Sequence, residues 1–194
     1  MSAWRERDIM VPLLLTTRAL EFAALKHTDQ RRKGERGEPY VNHLAEVAVL
    51  LAEATHGDDP ILIAGGLLHD TLEDTETTYE ELEASFGPEI AHLVKEVTDD
   101  TSLPRADRKR LQIEKTPGKS ARARQIKIAD KISNLRALLR TPPTGWCDIR
   151  KRDYVDWAAA VVAGCRGLNP ALDRLFDQAH ADGLAAFGEP VTKA

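Results

Sequence analysis

The chain has 194 residues, a formal net charge of −4, 42% hydrophobic residues and 30% charged residues, a globular balance with length enough for one substantial core and unlike a disordered chain. The modest acidity argues against a general nucleic-acid or membrane-surface binder, which would be basic overall. With only 5% aromatic residues, apolar burial must rest on Leu, Ala, Val and Ile, the composition of packed helices more than of a sheet sandwich.

Helical punctuation recurs from end to end. Pro12 opens a first predicted helix in which Leu13, Leu14, Ala19, Phe22, Ala23 and Leu25 recur at helical spacing, until Arg31-Arg32-Lys33-Gly34 interrupts it. From Asn42, the spacing of Leu44, Val47, Ala48 and Leu51 predicts a second helix, with His56 and Gly57 closing it. Asp59-Pro60 pairs an N-cap acid with proline at the first helical position. It leads through Ile61-Leu62-Ile63-Ala64 to Leu67-Leu68, apolar nearly all round, so this helix should be central and buried.

Thr78 to Glu81 fits a capping box, and Gly87 stops that short helix. Pro88 opens another, carrying Ile90, Leu93 and Val97, and a basic helix follows from about Pro104 to Lys115. Ala121 to Arg140 places Ile126, Ala129, Ile132, Leu135 and Leu139 on one face. After the Pro142-Pro143-Thr144-Gly145 loop, an alanine-rich helix is predicted over Asp148 to Leu168, and Asn169-Pro170 caps a last one ending at Gly188. No alternating strand pattern, internal repeat or low-complexity linker interrupts this series, so the predicted architecture is all-α, one domain over 1–194.

Cys147 and Cys165 have no CxxC pairing and read as two reduced thiols. The start, Met1 to Asp8 with the short apolar stretch Val11 to Leu15, lacks a signal h-region, and no stretch nears the ~20 apolar residues of a spanning helix. A soluble, cytoplasmic protein is expected.

Chemistry concentrates where the buried helix should finish, at Leu67-Leu68-His69-Asp70-Thr71-Leu72-Glu73-Asp74. A helix C-terminus prefers cations, yet three carboxylates and an imidazole gather there, and Asp70 and Asp74 repel at four-residue spacing if the helix persists. A divalent cation would offset that repulsion; a solvated, frayed end is the alternative. Asp130 lies inside the apolar stripe from Ile126 to Ile132, where a carboxylate must be paired or bound to metal. Lys127 or Lys131 could satisfy it as an ion pair. With His43 on the second helix, His43, His69, Asp70 and Asp130 make a two-imidazole, two-carboxylate set suited to Mn²⁺, Fe²⁺ or Zn²⁺ with positions open to water. Of the other histidines, His27 reads as surface, His56 as a cap, and His92 and His180 as residues of ordinary amphipathic helices.

Basic residues cluster at Arg31-Arg32-Lys33, at Arg105, Arg108, Lys109 and Arg110, and at Lys119, Arg122, Arg124, Lys127 and Lys131. Most read as solvated faces, but a phosphate substrate beside an acidic metal cup would need several such donors. No Gly-rich phosphate loop, GxSxG elbow or Cys/His nucleophile arrangement is visible, which leaves water on a metal as the most economical nucleophile.

These residues resemble a known family. His43, His69-Asp70 and Asp130 match the HD-domain metal-dependent phosphohydrolases. The wider text is similar to the hydrolase domain of RelA/SpoT proteins: Arg31-Arg32-Lys33 with Pro39 to His43, Leu67 to Asp74, Glu96-Val97-Thr98-Asp99-Asp100, and Lys127 to Leu135. The similarity spans about residues 18–185. Gly145-Trp146 and Tyr154 to Ala159 place it nearest the small alarmone hydrolases of the metazoan SpoT-homologue type, with no room for a synthetase or regulatory domain.

The resemblance implies a bundle of about ten helices around one Mn²⁺ held by His43, His69, Asp70 and Asp130, other divalent ions being possible. Glu73 and Asp74 match the acidic pair of active hydrolases. Arg32 and Lys33, with Asn134, Arg150 and Tyr154, match the nucleotide and phosphate contacts. Ser133 stands where close relatives often have tyrosine, a difference expected to fall on substrate packing. The implied reaction is attack of metal-activated water on the 3′-diphosphate of guanosine tetra- or pentaphosphate (ppGpp, pppGpp), giving GDP or GTP and pyrophosphate. Glu73 and Asp74 would move the protons, and the Arg/Lys donors would neutralise the phosphates. The alternative within enzymes is an HD phosphohydrolase acting on another nucleotide, removing the 2′-phosphate of NADPH or hydrolysing an adenine alarmone. A non-catalytic nucleotide-binding regulator is disfavoured by the intact Glu73-Asp74 pair, and a purely structural helical protein would leave the acidic helix end unexplained. The implied partner is a small guanine nucleotide, with neither nucleic acid nor membrane; oligomeric state is not given by the residues.

Overall fold

A computed structural model describes residues 12–188; the start from Met1 to Asp8 and both ends of the expected 1–194 domain lie outside them. The described residues form α1 (Pro12–Lys26), α2 (Val41–Ala54), α3 (Pro60–Leu68), α4 (Thr71–Asp74), α5 (Tyr79–Phe86), α6 (Pro88–Val97), α7 (Arg105–Lys115), α8 (Ala121–Arg140), α9 (Asp148–Ala163) and α10 (Pro170–Phe187), with one 3₁₀ turn over Thr116–Gly118. Among these residues there is no β-strand element, only two isolated bridges, Arg31 to Pro39 and Gly34 to Pro143. The fold is the all-α architecture that the punctuation predicts, with the roughly ten helices that the resemblance implies.

Side-chain caps start the helices where the sequence places them. Asp59 Oδ1 accepts from the Leu62 amide at 3.0 Å, and Ser120 Oγ accepts from the Ala123 amide at 3.2 Å. Asn169 Oδ1 accepts from the amides of Ala171 and Leu172. Thr78 Oγ1 takes the Glu81 amide at 3.2 Å, but the Glu81 carboxylate pairs with Lys26 Nζ at 2.7 Å, so only half of the capping box forms.

Helix α3 is buried from Leu62 to Leu68 and packs against α1, α2, α6 and α8. Two glycines permit that density. A Cβ at Gly65 would stand 2.6 Å from Leu93 Cδ2, and one at Gly66 would stand 2.5 Å from Leu51 Cδ1. Helix α8 lies across the same core, buries Asp130 and Lys131 among its apolar residues, and contacts α2, α6, α9 and α10. Both helices are therefore held by the core itself.

Three elements differ from the sequence expectation. The central helix does not run through the acidic stretch: α3 stops at Leu68, His69-Asp70 turns the chain, and Glu73 and Asp74 sit in the first turn of the separate helix α4. The alanine-rich helix ends at Ala163 and not Leu168, because Gly164 packs against Pro117 and Gly167 takes φ +84°, which breaks the helix. The basic helix α7 buries none of its residues. It is fixed to its neighbours by polar contacts instead, such as Trp157 Nε1 donating to the Lys109 carbonyl at 3.1 Å.

Candidate active site

Helices α2 and α8 and the turn after α3 bring His43, His69, Asp70 and Asp130 to one point. His69 Nε2 stands 3.0 Å from Asp70 Oδ2 and 3.8 Å from Asp130 Oδ1; His43 Nε2 stands 3.3 Å from Asp130 Oδ1 and 3.6 Å from Asp70 Oδ2. The ligand atoms of His43, His69 and Asp130 all lie within 4.8 Å of one another, and all three residues are buried.

The outer nitrogens of both rings are already committed. His69 Nδ1 donates to the Gly66 carbonyl at 2.8 Å, and His43 Nδ1 is 2.9 Å from Ser133 Oγ. The two Nε2 atoms are buried with no aligned hydrogen-bond partner. Burial is the largest influence on His43 and lowers it, which favours the uncharged ring. Burial also pulls His69 down, but Asp70 and Asp130 outweigh it and raise the ring to about 10. Burial pushes both aspartates up, yet the charges beside them prevail: His69 holds Asp70, and Lys131 holds Asp130, well below the usual carboxylate range. Two imidazole Nε2 atoms without a hydrogen-bond partner, converging with two carboxylates, fit a divalent metal ion.

Neighbouring side chains fix the carboxylates. Lys131 Nζ takes Asp130 Oδ2 at 2.7 Å, Asn134 Nδ2 donates to Asp130 Oδ1 at 2.6 Å, and Arg32 Nη2 donates to Asn134 Oδ1 at 2.8 Å. Of the two lysines that could pair with Asp130, the partner is Lys131, while Lys127 lies 3.7 Å from Asp99. Tyr40, which sequence reasoning left without a role, donates its hydroxyl to Asp70 Oδ2 at 2.6 Å and stacks on His27. Its place three residues before His43, at the mouth of α2, was the available signal. His27 is a correction: it is 2% exposed and not a surface residue, because the Tyr40 ring covers it and Gln30 holds its Nδ1. Ser133 is a second correction. At 1% exposure beneath His43, it meets the imidazole and not a substrate.

Beside the cluster opens a cavity of about 470 Å³. Arg32, Lys33, Asp74, Asn134 and Tyr154 line it, as do Tyr40, Arg105 and Trp146. The bridge from Gly34 to Pro143 anchors the loop carrying Arg32 and Lys33 over one wall. Arg150 lies outside this cavity, in an adjoining hollow with Arg105 and Lys109, its guanidinium 4.4 Å from the Trp146 ring.

The acidic pair divides. Asp74 faces the cavity and accepts from Gln30 Nε2 at 2.8 Å. Glu73 does not line it: Glu73 Oε2 accepts from the Asp99 amide at 3.1 Å, and Arg108 Nη1 stands 3.4 Å from Oε1. Burial, with the Asp99 charge, pushes Glu73 up to about 7.

An HD-domain family model matches residues 19–152, about two thirds of the chain. The chain belongs to the HD-domain family. It is 47% identical over 160 residues to the guanosine-3′,5′-bis(diphosphate) 3′-pyrophosphohydrolase MESH1 of Mus musculus, covering 82% of this chain and 89% of that one. It is 48% identical over 160 residues to MESH1 of Drosophila melanogaster, with the same coverage. A solved structure of a metazoan ortholog of SpoT, described as hydrolysing ppGpp and acting in starvation responses, superposes with a TM-score of 0.83 at 43% identity, over 87% of this chain and 94% of that one. This HD-domain protein is accordingly an enzyme, a metal-dependent hydrolase of the RelA/SpoT hydrolase type.

Proposed function

We propose that the chain is a guanosine-3′,5′-bis(diphosphate) 3′-pyrophosphohydrolase, converting ppGpp or pppGpp to GDP or GTP and pyrophosphate. It would act in the cytoplasm as a single HD domain over about residues 18–185, with one Mn²⁺ held by His43, His69, Asp70 and Asp130. The observation that carries this reading is the pair of buried, unpartnered Nε2 atoms facing two carboxylates beside a cavity walled by cations. MESH1 proteins that share nearly half of its residues, and carry that activity in their names, supply the substrate class.

When bound, the ion would supply Lewis-acid activation of water and of the scissile phosphate. The chain's own groups do the rest. Arg32 and Lys33 bind the diphosphate and neutralise charge that grows as the bond between the 3′ oxygen and phosphorus breaks. Asn134 and Tyr154 hold the nucleoside side of the cavity, and Arg150, with Arg105, extends the cationic wall towards the 5′ phosphates. Asp74, at the cavity surface, orients the attacking water and takes its proton. Glu73, placed near 7 by its surroundings and set behind the cavity wall, holds a proton at working pH that reaches the 3′ oxygen through an intervening water.

The test is pyrophosphate release from ppGpp, with NADPH and an adenine alarmone assayed beside it, each with Mn²⁺ and with chelator. Metal-dependent turnover of ppGpp well above the others supports the reading. Preference for either of the others reassigns the substrate, and no turnover of any of them overturns the catalytic reading.

A further inference from the structure

We propose that Ser133 and Glu46 form a positioning relay that fixes the coordinating tautomer of His43 and so sets the affinity of the divalent-ion site, an inference that rests on the metal reading above. Ser133 Oγ lies 2.9 Å from His43 Nδ1 and donates to Glu46 Oε2 at 2.8 Å. That Glu46 oxygen also accepts from Arg140 Nη2 at 3.0 Å, and Glu46 Oε1 lies 3.6 Å from Arg136 Nη1. A carboxylate held by two guanidinium groups only accepts, and a serine hydroxyl has one proton. Once that proton points at Glu46, the hydroxyl oxygen can meet Nδ1 only as an acceptor. The ring proton must then sit on Nδ1, which leaves the Nε2 lone pair free to coordinate.

The arrangement is confined to side chains, and its inner end at Ser133 and His43 is closed to solvent. Ser133 is 1% exposed, so water does not compete for Nδ1. Glu46 sits one helical turn after His43 on α2, and Ser133 sits one turn after Asp130 on α8, so the relay also ties together the two helices that carry those ligands. His69 differs: its Nδ1 is held by the Gly66 carbonyl, a backbone group that enforces the same tautomer unaided. His43 alone depends on removable side chains.

Two measurements test the relay. Nitrogen-15 spectra of the imidazoles in metal-free protein report which nitrogen carries the His43 proton. Calorimetric titration with Mn²⁺ reports affinity without reference to turnover. The wild type should show His43 protonated on Nδ1. Ser133→Ala should lose that preference and weaken Mn²⁺ by about 10- to 100-fold, the usual effect of removing a hydrogen-bond partner behind a metal-binding histidine. Ser133→Thr, which keeps the hydroxyl, should restore most of the affinity. Glu46→Ala, which frees that hydroxyl proton to turn towards Nδ1, should weaken binding in the same direction. Mn²⁺ binding by the wild type that Ser133→Ala leaves unchanged overturns the relay alone, as does a wild-type His43 protonated on Nε2. A wild type that binds no Mn²⁺ overturns the metal reading and the relay with it.

Discussion

Glu73 offers a direct check of the electrostatics around the site, through Glu73→Gln in chelator-treated protein. A carboxylate whose folded value is raised from 4.5 to about 7 prefers its proton in the folded state. Below pH 4.5 both folded and unfolded forms hold that proton and the residue costs nothing; between 4.5 and 7 the unfolded chain ionises first, and above 7 the full penalty applies. At about 1.4 kcal/mol per pH unit the displacement amounts to about 3 kcal/mol. Glutamine keeps the acceptor for the Asp99 amide and removes the charge, so Glu73→Gln should be more stable than wild type by about 2–3 kcal/mol at pH 8, with the gap closing towards pH 4.5. For a chain of this size that is about 4–12 °C in melting temperature. The helix-dipole argument, which placed Glu73 at the C-terminal end of the buried helix, gives only a few tenths of a kcal/mol. The break at His69-Asp70 removes its premise. Urea unfolding of both proteins across pH 5 to 8, with pyrophosphate release measured separately on the Mn²⁺-loaded proteins, decides: turnover should fall ~10²-fold or more while stability rises. A stability difference that does not change with pH would refute the assigned environment of Glu73, and near-normal turnover would refute its proton-holding role.

Other outcomes follow from the same geometry. Because the metal site joins α2, α3 and α8, chelator should lower the melting temperature and Mn²⁺ should restore it, by about 2.7 kcal/mol at one hundred times the dissociation constant; equal melting curves with and without metal would contradict this. Lys33→Ala should weaken substrate binding and shift stability by no more than ~0.5 kcal/mol, since the side chain is exposed, as calorimetry and melting will show. Arg32→Ala should weaken binding and also cost about 1–2 kcal/mol of stability, because its guanidinium anchors Asn134, which in turn holds Asp130. Gly66→Ala forces a Cβ to 2.5 Å from Leu51 and should destabilise by about 1–3 kcal/mol. It should also lower metal affinity, because the Gly66 carbonyl orients His69.

Much of this was legible in the residues because the determinants are local. The caps Asp59 and Asn169 work within one turn, so their helices start where the spacing says. His43, His69, Asp70 and Asp130 announce themselves as polar groups in or beside apolar runs, and the structure gathers all four. What escaped depends on distant partners. Nothing near His27 in sequence says that Tyr40 will cover it, and the spacing of Ser133 says nothing of His43, 90 residues away. Glu73 and Asp74 are neighbours in sequence but face different surroundings, because a four-residue helix turns one to the cavity and the other to Asp99 and Arg108. The overlong prediction for α9 failed for a similar reason: Gly164 is an ordinary late-helix residue until Pro117 packs against it.

Helix α7 carries a consequence of its own. A helix with no buried residue is not part of the cooperative unit that the apolar core defines, so it can open at a free energy well below that of global unfolding. Arg108 reaches Glu73 from that helix, and Gln112, one helical turn further along it, reaches Asp99. Each local opening therefore withdraws the guanidinium that neighbours the buried carboxylate, while the four candidate ligands, rooted in α2, α8 and the turn after α3, stay in place. Amide exchange along α7 would then run faster than along α3 or α8, and the proton-handling side of the site would breathe on a timescale separate from its metal-holding side.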